Sequence, residues 1–120
     1  MKYTRVYDSH YEKMLLGYSC EKCFIWKETH MTGLCSVVCD GYAVETQQWG
    51  GKKLFVADTL REAKAFAESL KRYMFLCYDF HTGEQDCVFY GVGQTEKEAL
   101  ENADIPGNYE LVEAFNLDEE

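Results

Sequence analysis

Six of the 120 residues are cysteines, and four of them lie close together as Cys20, Cys23, Cys35 and Cys39. Cys20-Glu21-Lys22-Cys23 has the Cys-x2-Cys spacing of a turn that presents two thiolates to one ion, and Cys35 and Cys39 form a second pair spaced by three residues. His30, between the pairs, is a spare nitrogen donor. Four thiolates in tetrahedral geometry make a closed structural zinc site, and its binding free energy would stabilise an otherwise loop-rich N-terminal third. Zinc is therefore the one cofactor these residues suggest. A plainer reading stands beside it: Cys35 and Cys39 sit among Leu34, Val37 and Val38 as small core hydrophobes, and the Cys-x2-Cys spacing is a coincidence in a Cys-rich chain.

A second group of chemically capable residues surrounds Thr82-Gly83. With those two as the loop of a hairpin, His81 faces Glu84, Asp79 faces Asp86, Cys77 faces Val88 and Tyr78 faces Cys87. One face then carries Leu76, Tyr78, Phe80, Cys87 and Phe89 as core, and the other carries Asp79, His81, Glu84 and Asp86. Like charges directly across a ladder repel, so Asp79 and Asp86 are expected to be hydrated, to hold a metal, or to meet Arg and Lys of a partner. In this register Cys77 and Cys87 point apart and stay free thiols. Catalytic signals are scarce. Cys77 and His81 share a strand face but lie about 13 Å apart along it. Gly91-Val92-Gly93 precedes a helix, yet Glu96 and Glu98 in the first turn would repel any phosphate held there. His10, His30 and His81 have no nucleophile beside them in sequence, so no enzyme is expected.

Charge limits partners more than any motif does. Asp79 to Glu120 carries twelve carboxylates and one cation, Lys97, whereas residues 1–78 carry nine carboxylates and eleven Lys or Arg, a split of −11 against +2. Such a field repels nucleic acid and steers basic surfaces toward it. The expected contact carboxylates are Asp79, Glu84 and Asp86 at the hairpin and Glu96, Glu98 and Glu101 on the helix after it. Apolar residues at 47%, with nine Tyr, seven Phe and two Trp, argue against disorder. One domain is expected by size, burying roughly two thirds of its unfolded surface. No window reaches the ~18 apolar residues of a membrane span, and no apolar stretch follows Met1–Arg5, so a cytoplasmic protein with reduced thiols and no membrane contact is expected.

The elements that must hold these residues become legible after the Cys-bearing segment, residues 1–41. Tyr42–Gln47 and Lys53–Val56 flank Trp49-Gly50-Gly51-Lys52, a hairpin signal. Thr59-Leu60-Arg61-Glu62 has the form of a capping box, and Leu60, Ala63, Ala67, Leu70 and Met74 continue it as an amphipathic stripe. The unit then repeats: Tyr73–Phe80 and Asp86–Tyr90 form a second hairpin, and Thr95-Glu96-Lys97-Glu98-Ala99 aligns with the first box without a gap. The helix it opens ends near Asp104, before Pro106, and residues 109–115 alternate as a closing strand. The fold expected is α+β, an antiparallel sheet of five or six strands with two helices on one face, built from hairpin-helix units at 42–72 and 73–104.

The run Phe89-Tyr90-Gly91-Val92-Gly93-Gln94-Thr95-Glu96-Lys97-Glu98-Ala99-Leu100-Glu101-Asn102-Ala103 resembles the strand, small turn and Thr-x-x-Glu-Ala helix of HicB-like antitoxin domains, without the DNA-binding extension typical of that family. In general character, one small acidic domain rich in aromatics, the chain resembles the anti-defence proteins of phages and mobile elements, including anti-CRISPR and anti-restriction proteins. That resemblance implies an acidic surface that occupies the basic nucleic-acid channel of a host nuclease. The function expected is thus a non-enzymatic inhibitor or regulator that binds a basic protein and not nucleic acid itself. The alternatives are a zinc-stabilised adaptor domain, and a metal-dependent enzyme or small-ligand binder built on Asp79, His81, Glu84 and Asp86.

Overall fold

Runs rich in aromatic and β-branched residues, Tyr18, Phe24-Ile25-Trp26, Tyr42-Ala43-Val44 and Leu54-Phe55-Val56, favour strands because their side chains pack on a pleated surface. The computed structural model, which describes residues 2–10, 14–33, 36–46 and 51–118, forms strands at all of them. Strands β1 (Thr4–Tyr7), β2 (Leu15–Ser19), β3 (Phe24–Thr32), β4 (Ser36–Glu45) and β5 (Lys53–Ala57) make an antiparallel sheet in chain order. The Cys-bearing segment, expected to be loop-rich, is therefore mostly sheet. Only Glu21 and Lys22 separate the β-prone runs on either side of Cys20 and Cys23.

Helix α1 (Leu60–Ser69) follows. The Thr59 hydroxyl accepts from the Glu62 amide at 3.2 Å. Ala63 and Ala67 are buried, and Phe66 stacks on Phe55 with ring centroids 4.5 Å apart. Helix α1 thus covers the sheet face that carries Tyr18, Ile25, Val44 and Phe55. It stops earlier than its apolar stripe suggests. Met74 lies instead in β6 (Lys71–Asp79), where Tyr73-Met74-Phe75-Leu76 favours a strand.

The chain divides into two compact units, Met1–Ser69 and Leu70–Glu120. In the second, β6 is the centre of a three-stranded antiparallel sheet, ordered β7 (Cys87–Gly93), β6, β8 (Tyr109–Asn116), with α2 (Glu96–Asn102) packed on β7 and β6. The strands therefore form two sheets, of five and three strands, rather than one of five or six. The order strand, strand, helix occurs in both units, as β4-β5-α1 and β6-β7-α2. The Thr95 hydroxyl caps α2 by accepting from the Glu98 amide at 3.2 Å, and the Glu98 carboxylate accepts from the Gln94 amide at 3.0 Å. The helix lies so close to β7 that a Cβ on Gly91 would come within 2.1 Å of the Ala99 carbonyl oxygen. A Cβ on Gly93 would come within 2.5 Å of the Ala99 nitrogen. Gly91-Val92-Gly93 thus allows close helix packing, and Glu98 is spent on the helix start.

Candidate functional site

Asp79 decides the geometry of the second hairpin. Its carboxylate accepts from the His81 amide at 2.9 Å and the Thr82 amide at 3.3 Å, while its own amide donates to the Glu84 carbonyl at 2.9 Å. Gly83 at φ +77° and Asp86 at φ +60° take left-handed conformations that close the connection, and the ladder resumes at Cys87. The link between β6 and β7 is therefore longer than Thr82-Gly83, and the expected register is off by one. Cys77 pairs with Cys87, not with Val88, and both side chains lie on one face. Both are free thiols, and burial pushes both pKa values up.

The core face is corrected in the same way. Tyr73, Phe75 and Cys77 of β6 pack with Ala99 of α2 and Ala103 that caps its C-terminus, and with Cys87, Phe89, Tyr109 and Ala114. Leu76 and Tyr78, expected inside, belong to the opposite, open face, and Phe80 is exposed. Asp79, expected at an exposed tip, is only 4% exposed and cannot meet a partner. Burial alone would raise its pKa, but hydrogen bonds from the Asn108 side chain and from His81 and Thr82 outweigh it and hold the carboxyl below its ordinary value.

The open face carries a row of apolar side chains that the register defines. Met74, Leu76 and Tyr78 from β6 stand beside Val88 and Tyr90 from β7 and Phe115 from β8. Tyr90 is 59% exposed, Val88 43% and Val112 63%. A bulge between Leu76 and Cys77 brings Glu113 opposite Leu76 and Glu110 opposite Tyr78, so two exposed carboxylates of edge strand β8 border this face. A hollow of about 260 Å³ is lined by Leu76, Cys77, Tyr78, Gln85, Asp86 and Val112. Asp86 at one end and Glu110 and Glu113 along one edge thus rim an exposed aromatic and aliphatic surface.

The six carboxylates singled out from the sequence do not form one patch. Asp79 is structural. Glu84 and Asp86 are exposed at the hairpin, whereas Glu96, Glu98 and Glu101 are exposed on α2, which covers the other side of the sheet. Glu110 and Glu113 were missed because alternation marked residues 109–115 as a half-buried strand, while β8 is an edge exposed at both. The unit boundary also sharpens the charge pattern. Residues 1–69 hold nine carboxylates and nine Lys or Arg, whereas residues 70–120 hold twelve against three, so the net charge of −9 belongs to the second unit. One of those three cations, Arg72, is held by Asp118 at 2.7 Å.

The cysteines divide differently from the zinc expectation. Cys20 and Cys23 are brought together, sulfur to sulfur 3.6 Å, with the Cys20 amide donating to the Cys23 carbonyl at 3.0 Å. Cys39 is elsewhere. It pairs with Thr29, six residues along β4 from Glu45, which faces Phe24, so it lies about 20 Å from Cys23. It cannot share an ion with Cys20 and Cys23 in this fold, and Cys35 lies outside the described residues. His30 bonds instead to Asp40 at 2.5 Å. Among the described residues, no three His, Cys, Asp or Glu side chains converge as metal ligands would. The hydrogen bond from the Cys23 thiol lowers the Cys20 pKa to about 6, and the same bond pushes that of Cys23 up.

No described helix is long and apolar enough to cross a membrane. Compared with known proteins, the chain matches no family model, no curated protein and no solved structure at a significant level of similarity.

Proposed function

We propose that this chain is a non-enzymatic inhibitor or regulator whose C-terminal unit binds a basic protein surface through the open face of the β7-β6-β8 sheet. The observation that carries this reading is the coincidence of two patterns. The whole net charge of −9 falls in the unit whose open face exposes Tyr90, Val88 and Val112 beside Asp86, Glu110 and Glu113. Charge steers a basic partner to that face, and the apolar centre supplies contact area once water is expelled. A partner that ordinarily holds nucleic acid presents both a basic groove and base-stacking surfaces, which Tyr90 and the carboxylates can occupy together. This supports a role like that of the anti-defence proteins of phages and mobile elements, with a host nuclease as the class of partner proposed. Catalysis on Asp79, His81, Glu84 and Asp86 has no support from the geometry, because Asp79 is committed to its turn.

Affinity capture from a bacterial lysate tests the assignment of the face. The whole chain and its Asp86→Lys, Glu110→Lys, Glu113→Lys variant are compared by quantitative mass spectrometry. The wild type is expected to retain a basic nucleic-acid-binding protein that the variant loses, and DNA is expected to compete for it. Equal retention by the two, or tight binding of DNA by the chain itself, contradicts the proposal.

A further inference from the structure

The thiol pair at the β2-β3 turn has no role in the binding face, and its geometry is specific. The last ladder pair of these strands is Ser19 with Phe24, so Cys20 and Cys23 are the next opposed pair, on the sheet face that α1 covers. The Cys20 amide bonds the Cys23 carbonyl at 3.0 Å, and the Cys20 thiol bonds the same oxygen at 3.4 Å. Directly opposed residues have Cα atoms about 4.5–5.5 Å apart, inside the range of about 4.4–6.8 Å that a disulfide spans. The sulfurs already lie 3.6 Å apart. Bond formation needs side-chain rotation and a small closure of a two-residue turn, with no strand displaced. Both residues are buried, Cys23 fully and Cys20 with 7% exposure, so Cys20 is the nearer of the two to solvent and the one assigned the first attack.

We infer that Cys20 and Cys23 form a reversible dithiol-disulfide couple that exchanges with small disulfides. The Cys20 thiolate attacks one sulfur of a disulfide RSSR, forming a mixed disulfide and expelling RS⁻. The Cys23 sulfur then attacks the Cys20 sulfur, expelling a second RS⁻ and closing the Cys20–Cys23 bond. The two thiol protons end on the two leaving groups, so the protein loses two electrons and two protons while RSSR becomes two RSH. Oxidation fixes the β2-β3 turn covalently, and an excess of thiol reopens it.

The tryptic map separates the thiols, because Lys22 lies between Cys20 and Cys23. Cleavage puts Cys20 in residues 14–22 and Cys23 in residues 23–27, whereas Cys35 with Cys39, and Cys77 with Cys87, each share a single peptide. The full-length protein is equilibrated in buffers of varied ratio of reduced to oxidised glutathione, quenched in acid, alkylated and digested. The expected result is a linked pair of peptides 14–22 and 23–27 that appears and disappears reversibly with the ratio. Cys23→Ser, checked for fold by circular dichroism, should accumulate glutathione on Cys20, whereas Cys20→Ser should leave Cys23 unmodified. Failure of the linked peptides to form in the wild type at any ratio overturns the inference, whatever the variants do. Glutathione accumulating on Cys23 in Cys20→Ser would overturn the order of attack.

Discussion

Asp79 illustrates how one side chain can redirect the reading of a site. Its place beside Thr82-Gly83 marked it as a contact residue, but a short Asp side chain can also accept from the amides two and three residues on, and here it does. Removing the charge should therefore harm the fold and not binding directly. Asp79→Asn is expected to lower the melting temperature by several degrees near neutral pH. The folded-state pKa lies below the ordinary value of 3.8, so the carboxylate's contribution is complete above that value and is lost as pH falls through the folded-state value. The gap between wild type and variant should accordingly close in thermal scans below about pH 4. A gap that is constant with pH would assign the effect to packing. The thiols show the same limit of sequence reading: spacing singled out Cys20 and Cys23, which do meet, but it also added Cys39, which strand pairing carries about 20 Å away.

At the scale of elements, both Thr caps and the strand-strand-helix order were legible, because caps and β-prone runs are local signals, although the Glu98 carboxylate accepts from Gln94 rather than from the cap residue Thr95. Faces and register were not. The Asp79 turn lengthens the β6-β7 link, and with period-2 alternation a slip of one residue exchanges the two faces of β6. Thr95→Ala removes the hydroxyl that accepts from Glu98 and should cost about 1 kcal/mol by urea denaturation. Gly91→Ala should cost more, about 2 kcal/mol, because the new Cβ meets the Ala99 carbonyl and overpacks the contact. Hydrogen exchange should show the Gly91→Ala effect in the amides of β7 and α2 first. If Gly91→Ala is neutral and protection there is unchanged, the close approach of α2 to β7 is not what those glycines serve.

For the molecule as a whole, the asymmetry of charge was visible in the sequence, but its meaning depended on where the chain divides. Drawn at Ser69, the boundary leaves a neutral first unit and a second that carries the full −9. Strand pairing adds Glu110 and Glu113 to the acidic surface and removes Asp79 from it, a distinction that depends on β8 lying at the sheet edge. The central claim is that this acidic, aromatic face docks a basic protein. It is tested most directly by the affinity of the complex with the captured partner, measured against salt concentration for the wild type and for the Asp86→Lys, Glu110→Lys, Glu113→Lys variant. Exposed charges are screened over a Debye length of about 8 Å at physiological ionic strength, so wild-type affinity should fall steeply as salt rises, mostly through the association rate. The variant should bind more weakly at low salt, with a much flatter dependence. Equal affinities and equal salt dependence for the two proteins would contradict the claim.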